Sequence, residues 1–70
     1  MNGNEFLRRL KALAKEHGLP LSVDSKHGKG SHQTIMLGNK RTTIRHLPDD
    51  LKTGTLNGMC KQLGIRREEL

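Results

Sequence analysis

Apolar positions near the N-terminus recur at helical spacing. They are Phe6, Leu7, Leu10, Leu13 and Ala14. With about 3.6 residues per turn, these side chains share one face, so the pattern predicts a helix over residues 3–17. Asn2 is a suitable N-cap, and Glu5 is placed to complete a capping box. Gly18 can take the left-handed conformation in which helices commonly end.

The pattern then changes to the alternation of apolar and polar residues that is typical of β-strands. It runs over residues 21–24, then 31–37, then 40–46. A loop rich in glycine and lysine, residues 25–30, separates the first two strands. Residues 38–39, Gly-Asn, are a two-residue hairpin signal, so the second and third strands are predicted to be antiparallel neighbours.

The last third of the chain carries a second helical pattern. Its apolar residues follow the i, i+3, i+4, i+7 spacing of a helix face: Leu56, Met59, Cys60 and Leu63. This predicts a helix over residues 54–63, with Thr53 as N-cap and Gly64 as the C-terminal stop. We expect Ile65 to pack back onto the core and residues 66–70 to form a short helical turn.

The predicted order of elements is α-β-β-β-α. It implies an α+β fold in which a three-stranded antiparallel sheet carries both helices on its apolar face. Residues 1–70 then form a single domain. The double-stranded RNA-binding domain has this architecture, and so do several other small nucleic-acid-binding proteins. The fold alone therefore does not assign a function.

The hairpin also predicts which residues face each other. A two-residue loop places Ile35 opposite Thr42 and, by the same count, His32 opposite Arg45. Side chains directly opposite lie about 4.5–5.5 Å apart at Cβ. The sheet face that points away from the helices would then be polar and basic. It carries His32, Thr34, Arg41, Thr43 and Arg45.

The charge balance narrows the range of partners. Thirteen Lys and Arg against seven Asp and Glu give a net charge of +6, which favours a polyanion such as nucleic acid. With one Phe and no Trp or Tyr, a deep small-molecule pocket and base stacking on aromatic rings are both disfavoured. The cations around the polar face are the expected RNA contacts: Lys26, Lys29, Lys40, Arg41 and Arg45.

Two absences indicate the compartment. The single cysteine, Cys60, excludes an intramolecular disulfide. No stretch approaches the about 18 apolar residues of a membrane span, and the N-terminus lacks the apolar core of a signal peptide. We therefore expect a cytoplasmic protein without membrane contact.

The stretch Gly28–His32 concentrates the residues that carry chemistry. A phosphate could be bound here by the ammonium group of Lys29, the backbone N–H of Gly30 and the hydroxyl of Ser31. The stretch lacks the Walker pattern of nucleotide-binding loops. His32 follows at the start of the second predicted strand. An imidazole with the ordinary pKa of about 6.5 exchanges protons near neutrality. His32 is therefore the candidate catalytic residue for attack of a ribose 2′-OH on the adjacent phosphate.

A complete acid/base pair needs a second titratable group. His46, Lys29 and Arg45 are the candidates. Alternation places His46 on the opposite face from His32, where a structural hydrogen bond to a loop carbonyl is the simpler expectation. Lys29 and Arg45 are better suited to stabilise negative charge on the phosphate.

The four histidines do not match a zinc site. Such sites usually add Cys or carboxylate ligands at recognisable spacing. His17 suits the end of the first helix, where an imidazolium interacts favourably with the helix dipole. His27 is expected in a solvated loop. We expect no metal and no other cofactor.

Four segments, in order, give the chain a resemblance to a known family. Residues 30–32, Gly-Ser-His, precede Thr42–His46, then Gly54–Leu56 and Lys61–Ile65. This set resembles the HicA-type toxins of bacterial toxin–antitoxin pairs, and the resemblance covers essentially the whole chain. It implies a fold like the double-stranded RNA-binding domain, metal-independent cleavage of mRNA and a catalytic histidine at His32. It also implies neutralisation by a HicB-type antitoxin that covers the active-site face.

Two other interpretations stay open at this point. The chain could be a non-catalytic RNA- or DNA-binding module in which His32 is only a contact residue. It could also be a protein-interaction domain whose basic face meets an acidic partner. Cleavage of RNA in the presence of EDTA, and its loss on His32→Ala, separates the enzyme from both.

Overall fold

The computed structural model describes residues 1–24 and 32–70. The elements follow the predicted order, with a short 3₁₀ helix after the second α-helix. They are α1 (Gly3–His17), β1 (Leu21–Asp24), β2 (Gln33–Leu37), β3 (Lys40–Ile44), α2 (Thr53–Leu63) and a 3₁₀ helix (Arg67–Glu69). The α+β architecture is thus confirmed. The predicted loop 25–30 and the predicted first residue of the second strand, Ser31, lie outside the described residues.

Helix α1 begins and ends where the sequence predicts. The side chain of Asn2 accepts a hydrogen bond from the Glu5 amide at 2.9 Å, which satisfies one of the free donors of the first turn. The Glu5 carboxylate does not complete the expected capping box but accepts from Arg8 at 3.3 Å and Arg9 at 3.1 Å. Gly18 ends the helix with a φ of 65°, a conformation that glycine adopts at little cost.

The three strands form one antiparallel sheet in the order β1-β2-β3. Gly38 has a φ of 61° whereas Asn39 has no positive φ. A positive φ at only the first central residue identifies a type II′ turn, whose twist suits a two-residue hairpin. The register is the predicted one, since Ile35 pairs with Thr42.

The β2–β3 ladder is shorter than predicted at the end away from the hairpin. Its last pair is Gln33 with Ile44, whereas the sequence pattern extended these strands to residues 31 and 46. The Asp49 amide donates to the His46 carbonyl at 3.1 Å. The chain is therefore already turning at His46, and the alternation of faces does not extend that far.

The core lies between the apolar sheet face and the two helices. Phe6, Leu10, Ile35 and Ile44 are its most deeply buried large side chains. Thr42 is the one polar side chain among the described residues that is buried with them, and its hydroxyl donates to the Gln62 side chain at 2.5 Å. This hydrogen bond fixes α2 against β3, because an unpaired hydroxyl in this position would be costly.

Helix α2 differs from the prediction at its start. Thr53 is already helical, and the N-cap is Lys52, whose side chain makes no capping hydrogen bond. The other end is as predicted. Gly64 has a φ of 71°, and the Ile65 amide donates to the Cys60 carbonyl at 3.0 Å while its side chain packs on the core. The expected final turn is the 3₁₀ helix, Arg67–Glu69.

No helix within the described residues is both long and apolar enough to cross a membrane.

Candidate active site

The described part of the predicted site lies at one end of the β2–β3 hairpin. His32 is exposed and immediately precedes β2. Arg41 is exposed on β3, and Arg45 is exposed one residue after that strand ends. Lys40, a further predicted contact, is exposed at the start of β3 but pairs with Leu37, so it is on the opposite face from Arg41. The remaining predicted RNA contacts lie outside the described residues: Lys26, Lys29, Gly30 and Ser31. His27 also lies there.

The register brings polar side chains onto the sheet face away from the helices. Thr34 pairs with Thr43, and Met36 with Arg41. The predicted pairing of His32 with Arg45 falls one step beyond the last pair of the ladder. Both residues adjoin that last pair, which places them at the same end of the sheet. Their direct opposition stays a prediction.

The pairing of β1 with β2 adds a carboxylate that the sequence analysis left without a role. Asp24 pairs with Thr34, so its side chain is on the same face as Thr34 and diagonal to position 32. Diagonal neighbours in an antiparallel pair lie about 7–8 Å apart. The sequence pattern could not place Asp24 near His32, because β1 and β2 are not joined by a two-residue turn that would set their register.

A depression of about 560 Å³ follows the outer edge of β3, where the strand borders α2. It is lined by Thr34, Arg41, Thr42, Thr43, Thr55, Gly58, Met59 and Gln62. The lining combines a guanidinium with several hydroxyls and one amide. These are the groups that proteins use to contact phosphate and sugar. Sequence reasoning missed Thr55 and Gln62, because their place beside β3 depends on how α2 packs.

A second depression, of about 290 Å³, adjoins the first at the end of β3. It shares Thr43, Thr55 and Met59 with the first and adds Arg45 and His46. The two together form a track along β3 from Arg41 to His46, which we call the β3 track. It is open, as suits an extended ligand better than a compact one, and its lining also includes the carboxylates of Asp49 and Asp50.

The His46 side chain differs from the expectation. Its Nδ1 lies 3.1 Å from Oδ1 of Asp49, so its partner is a carboxylate three residues along the chain and not a loop carbonyl. About half of the His46 side chain is exposed. With Nδ1 hydrogen-bonded to Asp49, Nε2 is the nitrogen available to a ligand.

His17 and Cys60 have contacts that indicate a structural role and not a catalytic one. Nε2 of His17, at the end of α1 as expected, lies 3.5 Å from Oε2 of Glu69. Cys60 is buried, and its burial raises the pKa of the thiol above the ordinary value. The thiol is therefore protonated near neutrality, so it is neither a good nucleophile nor a good metal ligand.

No group of three or more His, Cys, Asp or Glu side chains that could hold a metal ion occurs in residues 1–24 and 32–70.

Comparison with known proteins identifies the family. Residues 5–65 match the family model of the HicA toxin of bacterial toxin–antitoxin systems. Searches of curated proteins and of solved structures returned no match. The family match spans well over half of the chain, from α1 to the second residue after α2. The chain therefore belongs to the HicA toxins, a family of nuclease toxins whose implied partner is a HicB antitoxin.

Proposed function

We propose that this toxin is a metal-independent endoribonuclease that cleaves mRNA in the bacterial cytoplasm, with His32 as the catalytic acid/base. The observation that carries the proposal is the position of His32. It is an exposed imidazole at the end of a polar sheet face that also carries Arg41 and is adjoined by Arg45. Such a surface can hold a phosphodiester between a proton acceptor and cations.

The proposed reaction is transfer of the phosphate to the neighbouring ribose oxygen. His32 takes the proton of the 2′-OH as that oxygen attacks phosphorus, and the bond from phosphorus to the 5′-oxygen breaks. The products are a 2′,3′-cyclic phosphate and a 5′-OH end. Arg45 and Lys29 stabilise the negative charge that develops on the phosphate oxygens. No step requires a metal ion.

The leaving 5′-oxygen needs a proton, and His46 is the best-supported donor among the described residues. In the proposed state Asp49 accepts a hydrogen bond from Nδ1–H of His46, which leaves Nε2–H for the leaving oxygen. His46 lies two residues beyond the last β2–β3 pair, at the same end of the sheet as His32.

The residues proposed to bind RNA are Arg41 and Arg45 at this face. Those outside the described residues are Lys26, Lys29, Gly30 and Ser31. A HicB-type antitoxin is proposed to neutralise the toxin by covering the same face. A protein that occupies this face would exclude RNA without altering the catalytic groups.

Cleavage of a single-stranded RNA in EDTA tests the catalytic role. We expect wild-type protein to release fragments with 2′,3′-cyclic phosphate ends and His32→Ala to lose about 10²- to 10⁴-fold in rate. His17→Ala is the matched control, because His17 is also exposed but is paired with Glu69. Wild-type cleavage by the folded His32→Ala variant would contradict the role of His32.

The alternative function is a non-catalytic RNA- or DNA-binding module on the same fold. The cations that line the β3 track support binding as readily as they support cleavage. Binding of RNA by the wild-type protein, without cleavage under any tested condition, would favour this alternative.

A further inference from the structure

A second surface lies at the opposite edge of the sheet from the β3 track. It is between α1 and the outer edge of β1. It is a groove of about 490 Å³, which we call the α1–β1 groove. Its lining residues are Lys11, Ala14, Lys15, Leu19, Leu21 and Val23. The nuclease proposal uses none of them.

The floor of the groove is apolar and unusually exposed. Leu19 is 44% exposed and Val23 39% exposed, and they are two of the three large apolar side chains of the described residues with this exposure. Exposed apolar side chains that share one groove are typical of a surface that another protein covers.

Within the described residues, backbone N–H and C=O groups of alternate β1 residues point away from the sheet. The Gly38 amide donates to the Pro20 carbonyl at 2.9 Å, which makes Pro20–Gly38 a hydrogen-bonded position of the ladder. In an antiparallel pair such positions alternate with positions whose N–H and C=O point away. Ser22 therefore bonds to β2, whereas Leu21 and Val23 direct their backbone groups outward from the edge of the sheet.

Lys11 and Lys15 set the charge of the groove. Both are exposed on α1 and line the groove beside the apolar floor. A second copy of this chain would bring the same lysines and a net charge of +6 to the contact, which like-charge repulsion disfavours. RNA would match the lysines but not the apolar floor. The groove fits an extended protein segment that alternates apolar and acidic side chains.

We propose that the α1–β1 groove binds an extended, acidic segment of the antitoxin, which adds to β1 as a fourth antiparallel or parallel strand. This inference rests on the proposed pairing with an antitoxin and names the surface that holds it. The outward backbone groups supply the hydrogen bonds, and the exposed apolar floor supplies the side-chain contacts. Lys11 and Lys15 select the acidic partner.

The groove is separate from the catalytic end of the sheet. Leu21 pairs with Leu37, beside the hairpin turn, whereas His32 and Arg45 adjoin the opposite end of the ladder. An antitoxin held in the α1–β1 groove can thus stay bound to the toxin while its contact with the active-site face changes.

Amide hydrogen exchange on the full chain tests strand addition directly. The probe is the purified antitoxin encoded next to this toxin gene. Leu21 and Val23 amides should exchange rapidly in the free toxin and at least about tenfold more slowly in the complex, because they gain hydrogen bonds. Protection confined to Arg41 and Thr43, at the edge of β3, would overturn the proposal, as would a complex without new protection at β1 or failure to form a complex.

Two substitutions at exposed positions test the side-chain contacts. Val23→Asp places a carboxylate against an acidic partner and should weaken antitoxin binding at least about tenfold. Asn57→Asp is the control, because Asn57 is exposed on α2 and lines neither the α1–β1 groove nor the β3 track, and it should change binding less. The opposite ranking, or unchanged binding by folded Val23→Asp, would overturn the proposal.

Cleavage by the same variants keeps the two proposals apart. Val23→Asp should cleave RNA at the wild-type rate, because Val23 lies outside the β3 track. If wild-type protein fails to cleave RNA while Leu21 and Val23 become protected in the complex, the nuclease proposal fails and the docking surface stands.

Discussion

At the scale of single residues, the hydrogen bond between His46 and Asp49 decides which ring nitrogen can exchange a proton with a ligand. Asp49 holds Nδ1 at 3.1 Å, and the backbone turn that joins the same two residues keeps the pair together. An exposed contact of this kind contributes little to stability. Its effect on the orientation of the ring is therefore the more informative property to measure.

We predict that His46→Gln lowers the rate of RNA cleavage by about 10²-fold or more, because the leaving oxygen loses its proton donor. Asp49→Asn should lower the rate less, since the ring remains. The limb of the pH–rate profile that reports the acid should disappear in His46→Gln. An unchanged rate and profile would show that His46 is structural, and the free energy of unfolding measured in urea serves as the folding control.

Cys60 gives a second prediction at this scale, on stability and pH. Burial raises the pKa of its thiol in the folded protein, with Glu68 and Glu69 adding to the shift and Arg67 opposing it. The unfolded chain then loses the thiol proton at a lower pH than the folded chain does. The contribution of the neutral thiol to the free energy of unfolding is complete below the thiol pKa of the unfolded chain. It is lost as pH rises through the thiol pKa of the folded protein.

The free energy of unfolding should therefore fall as pH rises above about 8.5, the ordinary thiol pKa, with a slope of at most about 1.4 kcal/mol per pH unit. Urea unfolding between neutral and alkaline pH measures this slope. In Cys60→Ala the contribution is absent, so its stability should depend less steeply on pH. Equal slopes in the two proteins would contradict the assignment.

At the scale of elements, one glycine inside α2 and one glycine at its C-terminal end allow a matched comparison of alanine substitutions. Gly64 ends the helix at a φ of 71°, and a Cβ there would lie 2.8 Å from Cε of Lys40. The lysine end is flexible and can move, so the backbone conformation dominates the cost. Gly58 lies inside α2, and a Cβ there meets nothing within 4 Å.

We predict that Gly64→Ala destabilises the protein by about 1–2 kcal/mol, the cost of a left-handed residue that is not glycine. Gly58→Ala should stabilise it by about 0.5–1 kcal/mol, because alanine favours the helix interior. Urea unfolding of both variants measures the two changes. A loss of stability in Gly58→Ala as large as that in Gly64→Ala would contradict this account of the helix end.

The elements also show what the sequence could and could not predict. Helix α1, the hairpin and its register followed from apolar periodicity and from Gly38, since these signals are local. The ends of β2 and β3 did not, because the turn at His46 ends the alternation earlier than the residue pattern suggests. The place of Asp24 opposite Thr34 depends on the pairing of β1 with β2, which no local pattern encodes.

The same distinction applies to the candidate site. The exposure of His32 and Arg41 agrees with the predicted polar face, because both lie in or next to a strand, and their roles stay predictions. Thr55 and Gln62 were not found, since their place in the β3 track follows from the packing of α2 against β3. The carboxylate partner of His46 was missed because it depends on the conformation of a turn.

At the scale of the whole molecule, the net charge is +6, and cations occur on two surfaces whose other side chains differ. The β3 track combines Arg41 with hydroxyls, whereas the α1–β1 groove combines lysines with an apolar floor. Counterion release should therefore depend on which surface a ligand covers. Salt dependence can assign each ligand to its surface even where affinities are similar.

If about four cations contact phosphates of a single-stranded RNA, log affinity should fall against log salt with a slope of about −3. Arg41→Gln should reduce the magnitude of this slope by about 0.7, the share of one phosphate contact. Lys11→Gln should leave the slope unchanged, because Lys11 lines the α1–β1 groove. Binding is measured by titration in the His32→Ala background, so that the RNA stays intact. Equal reductions by both substitutions would mean that RNA is held by the overall charge of the molecule and not along the β3 track.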